Sequence, residues 1–217
     1  DADADFLTAF NKWGVDQVGY PISRRYIHNR LVRQAFQRVI MEWEPDRPYT
    51  DSVRLVDVFD ELHEAGLDGL LFDVRQVPRP LPDGWDGDLS VDEAQKKRLA
   101  LLDVRPALRE RALASSDPPL FYGLPTSEVQ DMGNHYAVRL QRTVLQEWSE
   151  EVPWAKVGDI TIANAGDIAK ELGALPPEAL IAESPNAPSL TPLLEATASP
   201  ADDAPPADDA PPADDAP

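Results

Sequence analysis

Two stretches decide how this chain is built: Val18-Gly19-Tyr20-Pro21-Ile22-Ser23 and Tyr122-Gly123-Leu124-Pro125-Thr126-Ser127. Both read Gly-x-Pro-x-Ser. Seventeen residues after each Gly stands an apolar residue followed by Gln-Arg, as Phe36-Gln37-Arg38 and as Leu140-Gln141-Arg142. Each copy then closes on Glu-Trp, at Glu42-Trp43 and at Glu147-Trp148, so the second copy holds one extra residue. Further on, Asp60 to Gly66 faces Ile168 to Gly173, each reading as a short helix that ends at Gly. A pattern kept at fixed spacing is the mark of a duplicated unit. The chain divides into a first unit over 1–80, an insert with a capped helix over 81–105, a second unit over 106–183 and a Pro/Asp/Ala-rich tail over 184–217.

Gly-x-Pro is a turn device, because Pro fixes φ, the residue before it is pushed extended, and Gly supplies a free backbone. The element that follows reads two ways. In the second copy Tyr136, Val138, Leu140 and Val144 alternate with Ala137, Arg139, Gln141 and Thr143, a half-buried strand with one Arg out of pattern. In the first copy Val32, Phe36, Val39, Ile40 and Trp43 fall at helical spacing. A one-residue insertion is absorbed more easily as a β-bulge than in a helix, where it turns every later side chain by about 100°. A strand or hairpin is the expectation, with helix as the alternative.

Other segments read more plainly. Phe6, Phe10 and Trp13 form an i, i+4, i+7 stripe closed by Gly14, predicting an amphipathic helix. Ser90 and Glu93 make a capping box with Leu89 outside it, opening a helix that runs through Leu99 and Leu102. Pro106 then kinks it or starts a second helix through Leu113. Asp167 to Leu172 predicts a short helix, and Leu70 to Val77 predicts a strand before the Pro78, Pro80, Pro82 loop. Helices mixed with few strands make an α+β fold.

The first copy resembles the LGFP-type repeat of secreted bacterial envelope proteins, which opens with Leu-Gly-Phe-Pro and closes on Gln-x-Phe-x-x-Gly-x-Ile-Tyr-Trp. Here the opening is Val18-Gly19-Tyr20-Pro21, and the closing pattern falls on Gln34, Phe36, Val39, Met41, Glu42 and Trp43. The Gln, Phe and Trp spacing holds, while the family's Gly is Val39 and its Tyr is Glu42. In the second copy Val138 stands at the Gln position and Trp148 one place late. The arrangement is also similar to secreted bacterial proteins that carry a Gly-Tyr-Pro-Ile-Ser segment. The resemblance spans about thirty residues of each copy and implies a non-catalytic module attached to the cell wall or its polysaccharides.

Charge and composition narrow the field. The chain has 217 residues, 20 Lys plus Arg, 39 Asp plus Glu and a formal charge of −19. The tail repeats ADDAPP and holds six Asp; without them 33 acidic residues still outnumber 20 basic ones. Nucleic-acid binding draws on Lys and Arg at backbone phosphates, so no nucleic-acid partner is expected. No apolar run is long enough for a membrane-spanning helix. Zero Cys removes disulfides and Cys-based metal sites. The opening Asp-Ala-Asp-Ala-Asp suits the cut end of an exported protein, and the acidic Pro-rich tail reads as an extended spacer, or as an inert solubilising terminus. The expected location is secreted or cell-surface.

No Gly-x-Ser-x-Gly elbow, Gly-rich phosphate loop or dinucleotide fingerprint is present, so no cofactor is expected. His28, His63 and His135 lack metal-ligand spacing and read as surface or loop residues. Asp83 to Glu93 alternates oxygen ligands like a calcium loop, but Val91 and Lys97 sit where an EF-hand needs Gly and Glu. Glu42 and Glu147 at matching positions suggest a glycosidase pair, or carboxylates held by Arg38 and Arg142. Trp at a repeated position also serves as the plug of a small core. Against that, Tyr20, Arg38, Trp43, Tyr122, Arg142 and Trp148 make the candidate saccharide surface, with Trp154 nearby, because sugars stack on flat aromatics rimmed by polar groups. Two equivalent weak sites would raise avidity for a polymer. The readings rank as a non-catalytic module binding wall or extracellular polysaccharide, a structural subunit assembling with copies of itself, and a carbohydrate-active enzyme.

Overall fold

The computed structural model describes residues 4–44, 47, 52–114 and 120–181. The tail, and with it the expectation of a spacer, lies outside the described residues. The chain opens with α1 (Phe6–Trp13) and α2 (Val15–Val18), followed by β1 (Tyr26–His28), β2 (Leu31–Ala35), β3 (Ile40–Trp43) and β4 (Val53–Leu55). Next come α3 (Val58–Glu64), α4 (Asp68–Arg75), α5 (Val91–Ala100) and α6 (Pro106–Leu113). The second unit holds β5 (Gln130–Asp131), β6 (His135–Arg139), β7 (Val144–Trp148), β8 (Ile160–Ile162) and α7 (Ala165–Glu171), and a 3-10 turn, Pro177–Leu180, follows. The strands form two four-stranded antiparallel meanders, β1-β2-β3-β4 and β5-β6-β7-β8. The fold is α+β.

The repeated sequence is a lock between a turn and the end of a hairpin. Gly19 and Gly123 have φ of 73° and 78°, and a Cβ on either would lie 2.6 Å from Gln37 Cβ or 2.7 Å from Gln141 Cβ. That close approach lets Gln37 Oε1 accept the Tyr20 N–H at 3.0 Å and Gln141 Oε1 accept the Leu124 N–H at 2.9 Å. The repeated Ser closes the other side: Ser23 Oγ accepts from Ala35 N at 2.8 Å, and Ser127 Oγ from Arg139 N at 2.9 Å. These bonds satisfy backbone donors where the ladder stops.

The two units are interleaved. Phe59 N–H, in the first turn of α3, donates to Gln141 O at 2.9 Å, and Gly166 N–H, in the first turn of α7, donates to Gln37 O at 3.0 Å. Each Gln-Arg turn thus receives the start of the other unit's helix, and α3 packs on α7. Both sheets bury both faces. Val32, Met41, Leu55, Val138 and Leu145 face a layer holding α1 and α6, while Ala35, Ile40, Ala137 and Val144 face α3, α4 and α7. Each hydrophobic cluster therefore draws on both units.

Several expectations hold: α1 closes at Gly14, the capping box of Ser90 and Glu93 is formed, Pro106 opens α6, and Val32 to Trp43 is a hairpin of strands. Others need correction. Leu70 to Val77 is not a strand, since α4 runs Asp68–Arg75, buries Leu71, and ends at Gln76 with left-handed φ of 52°. Asp68 in its first turn and Arg75 in its last suit the helix dipole. Nor does the extra residue make a bulge. Ala35 pairs with Ile40 and Arg139 with Val144, so the two hairpins share one register. Glu42 therefore matches Gln146, Trp43 matches Glu147, and the extra length sits in the loop before the fourth strand.

Candidate functional site

The six residues read from the sequence do not converge. Tyr20 is exposed at 64%, whereas Tyr122 is buried and packs edge-on against Phe121. Burial holds the Tyr122 phenol above its ordinary pKa, with Arg111 and Arg38 opposing. Arg38 donates to the Val15 and Asp16 carbonyls, the latter at 2.7 Å, and Arg142 donates to the Phe121 carbonyl and to Asp57 Oδ1, the latter at 2.7 Å. Both close the turn before the Gly-x-Pro segment and neither holds Glu42 or Glu147. Trp43 packs half-buried on the first cluster, paired with Val32 and Val53. A one-residue offset turns a strand side chain to the other face, so Trp148 looks the opposite way, paired with His135.

Trp148 is the middle of a ring ladder. Its indole lies 4.8 Å from the His135 ring on one side and 5.8 Å, edge to face, from Trp154 on the other. Trp148 is buried and Trp154 is 70% exposed. Trp148 Nε1 donates to Thr161 Oγ1 at 2.9 Å, which donates on to Gln146 Oε1 at 3.1 Å. His135 is fully buried, not a surface residue. Asn134 Oδ1 faces its Nδ1 at 2.8 Å and Gln146 Nε2 faces its Nε2 at 3.2 Å, which suits a neutral ring protonated at Nδ1. Burial lowers its pKa accordingly.

A second feature belongs to the first unit alone. Cross-strand pairing sets Tyr26, Arg33, Glu42 and Arg54 in one row over four strands. The same row in the second unit is Gln130, Ala137, Gln146 and Thr161. Arg33 Nε donates to Glu42 Oε2 at 2.6 Å, while its Nη1 and Nη2 donate to Glu61 Oε2 and Oε1 at 3.0 and 2.7 Å. Arg54 Nη2 meets Glu42 Oε1 at 2.5 Å. Burial pushes the Glu42 pKa up, but the hydrogen bonds from the two guanidiniums outweigh it and hold it below the ordinary value. Glu42 is 2% exposed and fixed as a carboxylate, unsuited to proton transfer. Its expected partner Glu147 sits at a different register position, 3.7 Å from Arg105.

Beside this row lies a cavity of about 350 Å³. The tip of the β1–β2 hairpin supplies Tyr26, His28 and Asn29, α3 supplies Glu61, Leu62 and Glu64, and Ala169, Ala174 and Leu175 come from the second unit. The hairpin reaches over because Asn29 and Arg30 turn it in two residues, with φ of 48° and 66°. Burial raises the Tyr26 pKa to about 12, with Arg33 opposing and Glu61 and Glu42 adding. Burial, then Arg33, lowers that of His28. Both are neutral near pH 7. None of the six sequence-derived residues lines this cavity.

Among the described residues, no group of three His, Cys, Asp or Glu side chains is placed to hold a metal, and no helix is long and apolar enough to cross a membrane. Comparison with protein-family models, with curated proteins and with solved structures finds no match.

Proposed function

We propose that this chain is a non-catalytic, cell-surface or secreted module that binds wall or extracellular polysaccharide. The observation that carries the reading is Trp154, an indole 70% exposed on a loop pinned from beneath by buried Trp148. An exposed, rigid aromatic costs little entropy on binding and offers a flat face to a pyranose. Its loop is preorganised: Val152 and Ala155 bridge, and Lys156 N–H donates to Asp159 Oδ2 at 2.8 Å. Lys156, Asp159 and the exposed Glu150 and Glu151 supply a polar rim. The resemblance of the first unit to envelope-protein repeats points the same way.

The test is co-sedimentation of the full chain with purified cell walls and insoluble polysaccharides, beside its light-scattering mass over a range of concentrations. Pelleting of a monomer supports the proposal. Absence of pelleting, with mass rising as concentration rises, would replace it with assembly of copies of the chain.

A further inference from the structure

We propose that the cavity between the β1–β2 hairpin and α3 binds a protonated primary amine on a small, partly apolar body, specifically an amino sugar. In that form the inference rests on the polysaccharide reading above and names the sugar class.

The charges select the ligand. Arg33 is flanked by Glu42 and Glu61, which accept three of its five N–H groups and already balance its charge, so it does not draw a further anion. Glu64, one helical turn beyond Glu61 on α3, lines the same cavity and makes no ion pair among the described residues. Among the charged side chains that line the cavity, Glu61 and Glu64 stand against Arg33, which leaves one carboxylate over. An ammonium group is the small ligand that completes such a set.

A second observation is independent of the acids. Tyr26 is 4% exposed, lines the cavity, and its hydroxyl makes no hydrogen bond to any described residue. That hydroxyl is not sealed from solvent but opens on the cavity, within reach of a ligand's polar groups. His28, at the hairpin tip, offers a neutral ring nitrogen. Tyr26 and His28 thus present hydrogen-bonding groups that suit hydroxyls and an amine. Val58, Leu62 and Leu175 supply an apolar wall for the ring carbons. The volume stands at the lower end of the roughly 300–1,000 Å³ of small-molecule sites, which suits one sugar unit. The second unit carries Gln130, Ala137, Gln146 and Ile168 at the positions of Tyr26, Arg33, Glu42 and Glu61, so the duplication has kept the scaffold and set this row apart.

The experiment follows amide chemical shifts of the full chain titrated with D-glucosamine, D-glucose and N-acetyl-D-glucosamine, below the pKa of the free amine. Glucosamine should shift Tyr26, His28, Ala65 and Ala174 saturably and bind about tenfold more tightly than the other two, as expected for one charge-assisted hydrogen bond. Glu64→Gln should remove that preference, and Tyr26→Phe should weaken binding several-fold, with circular dichroism unchanged in both. Equal affinities for the three sugars, or an unaltered preference in Glu64→Gln, would overturn the amine assignment. Wall pelleting that persists without any shift at the cavity would sink this inference and leave the polysaccharide reading standing. Glucosamine bound at the cavity with no polymer pelleting would do the reverse.

Discussion

Gly166, in the first turn of α7, lies so close to the first unit that a Cβ there would sit 1.8 Å from the carbonyl oxygen of Phe36. The contact is backbone on backbone, and neither side can swing away. It is the tightest point in the reciprocal docking of each unit's helix on the other unit's Gln-Arg turn. Gly166→Ala should therefore destabilise the protein by about 3 kcal/mol in urea unfolding, through overpacking of a rigid contact. Gly69, inside α4 with open space where its Cβ would stand, is the control. Gly69→Ala should be neutral or stabilise by up to about 1 kcal/mol.

The charged row yields a double-mutant test. Removing Arg33 leaves the buried Glu42 carboxylate short of a partner, so Arg33→Ala should cost about 3–5 kcal/mol. Adding Glu42→Gln reproduces the pair that the second unit holds at Ala137 and Gln146. The double variant should regain much of that loss, and a urea-derived cycle would show the coupling.

His63 should make stability depend on pH in one direction. Its hydrogen bond to Asp68 at 2.5 Å raises its pKa above 6.5, burial opposes this, and a weaker bond to Asp83 adds to the rise. Its stabilisation is fully present below the unfolded value and lost as pH rises through the raised folded one. The melting-temperature advantage of the native chain over His63→Asn should shrink across that interval. His28 and His135, with lowered pKa values, lose stability in the opposite sense, as pH falls below 6.5.

The two Trp residues of the ladder should separate stability from binding. Trp148 is buried, and Trp148→Ala should cost about 3–5 kcal/mol. Trp154→Ala, at an exposed position, should leave the urea midpoint almost unchanged.

What the sequence made legible follows from local chemistry. Gly19, Pro21, Ser23 and Gln37 repeat at Gly123, Pro125, Ser127 and Gln141 because a turn that tight tolerates few residues. Ser90 and Pro106 announced their helices through capping, which depends only on neighbours. The site was less visible, because cross-strand partners are distant in sequence. Matching Glu42-Trp43 to Glu147-Trp148 by identity placed each one residue off, and in a strand that exchanges the two faces. Periodicity along Val32 to Trp43 did not place the turn, and only a hairpin turning at Gln37 and Arg38 brings Arg33 beside Glu42. Arg139 stood out of pattern because it spans the unit boundary. It is 1% exposed and reaches Asp68 Oδ1 at 2.5 Å and the Phe59 carbonyl. Leu70 to Val77 misled because a short apolar run carries no period of its own.

The most direct test of the polysaccharide reading is a depletion isotherm of Trp154→Ala against the native chain on the polymer that pellets it. The account predicts about a fivefold or greater loss of affinity with an unchanged urea midpoint, since one stacked aromatic contributes about 1–3 kcal/mol to binding. An unchanged isotherm would contradict it.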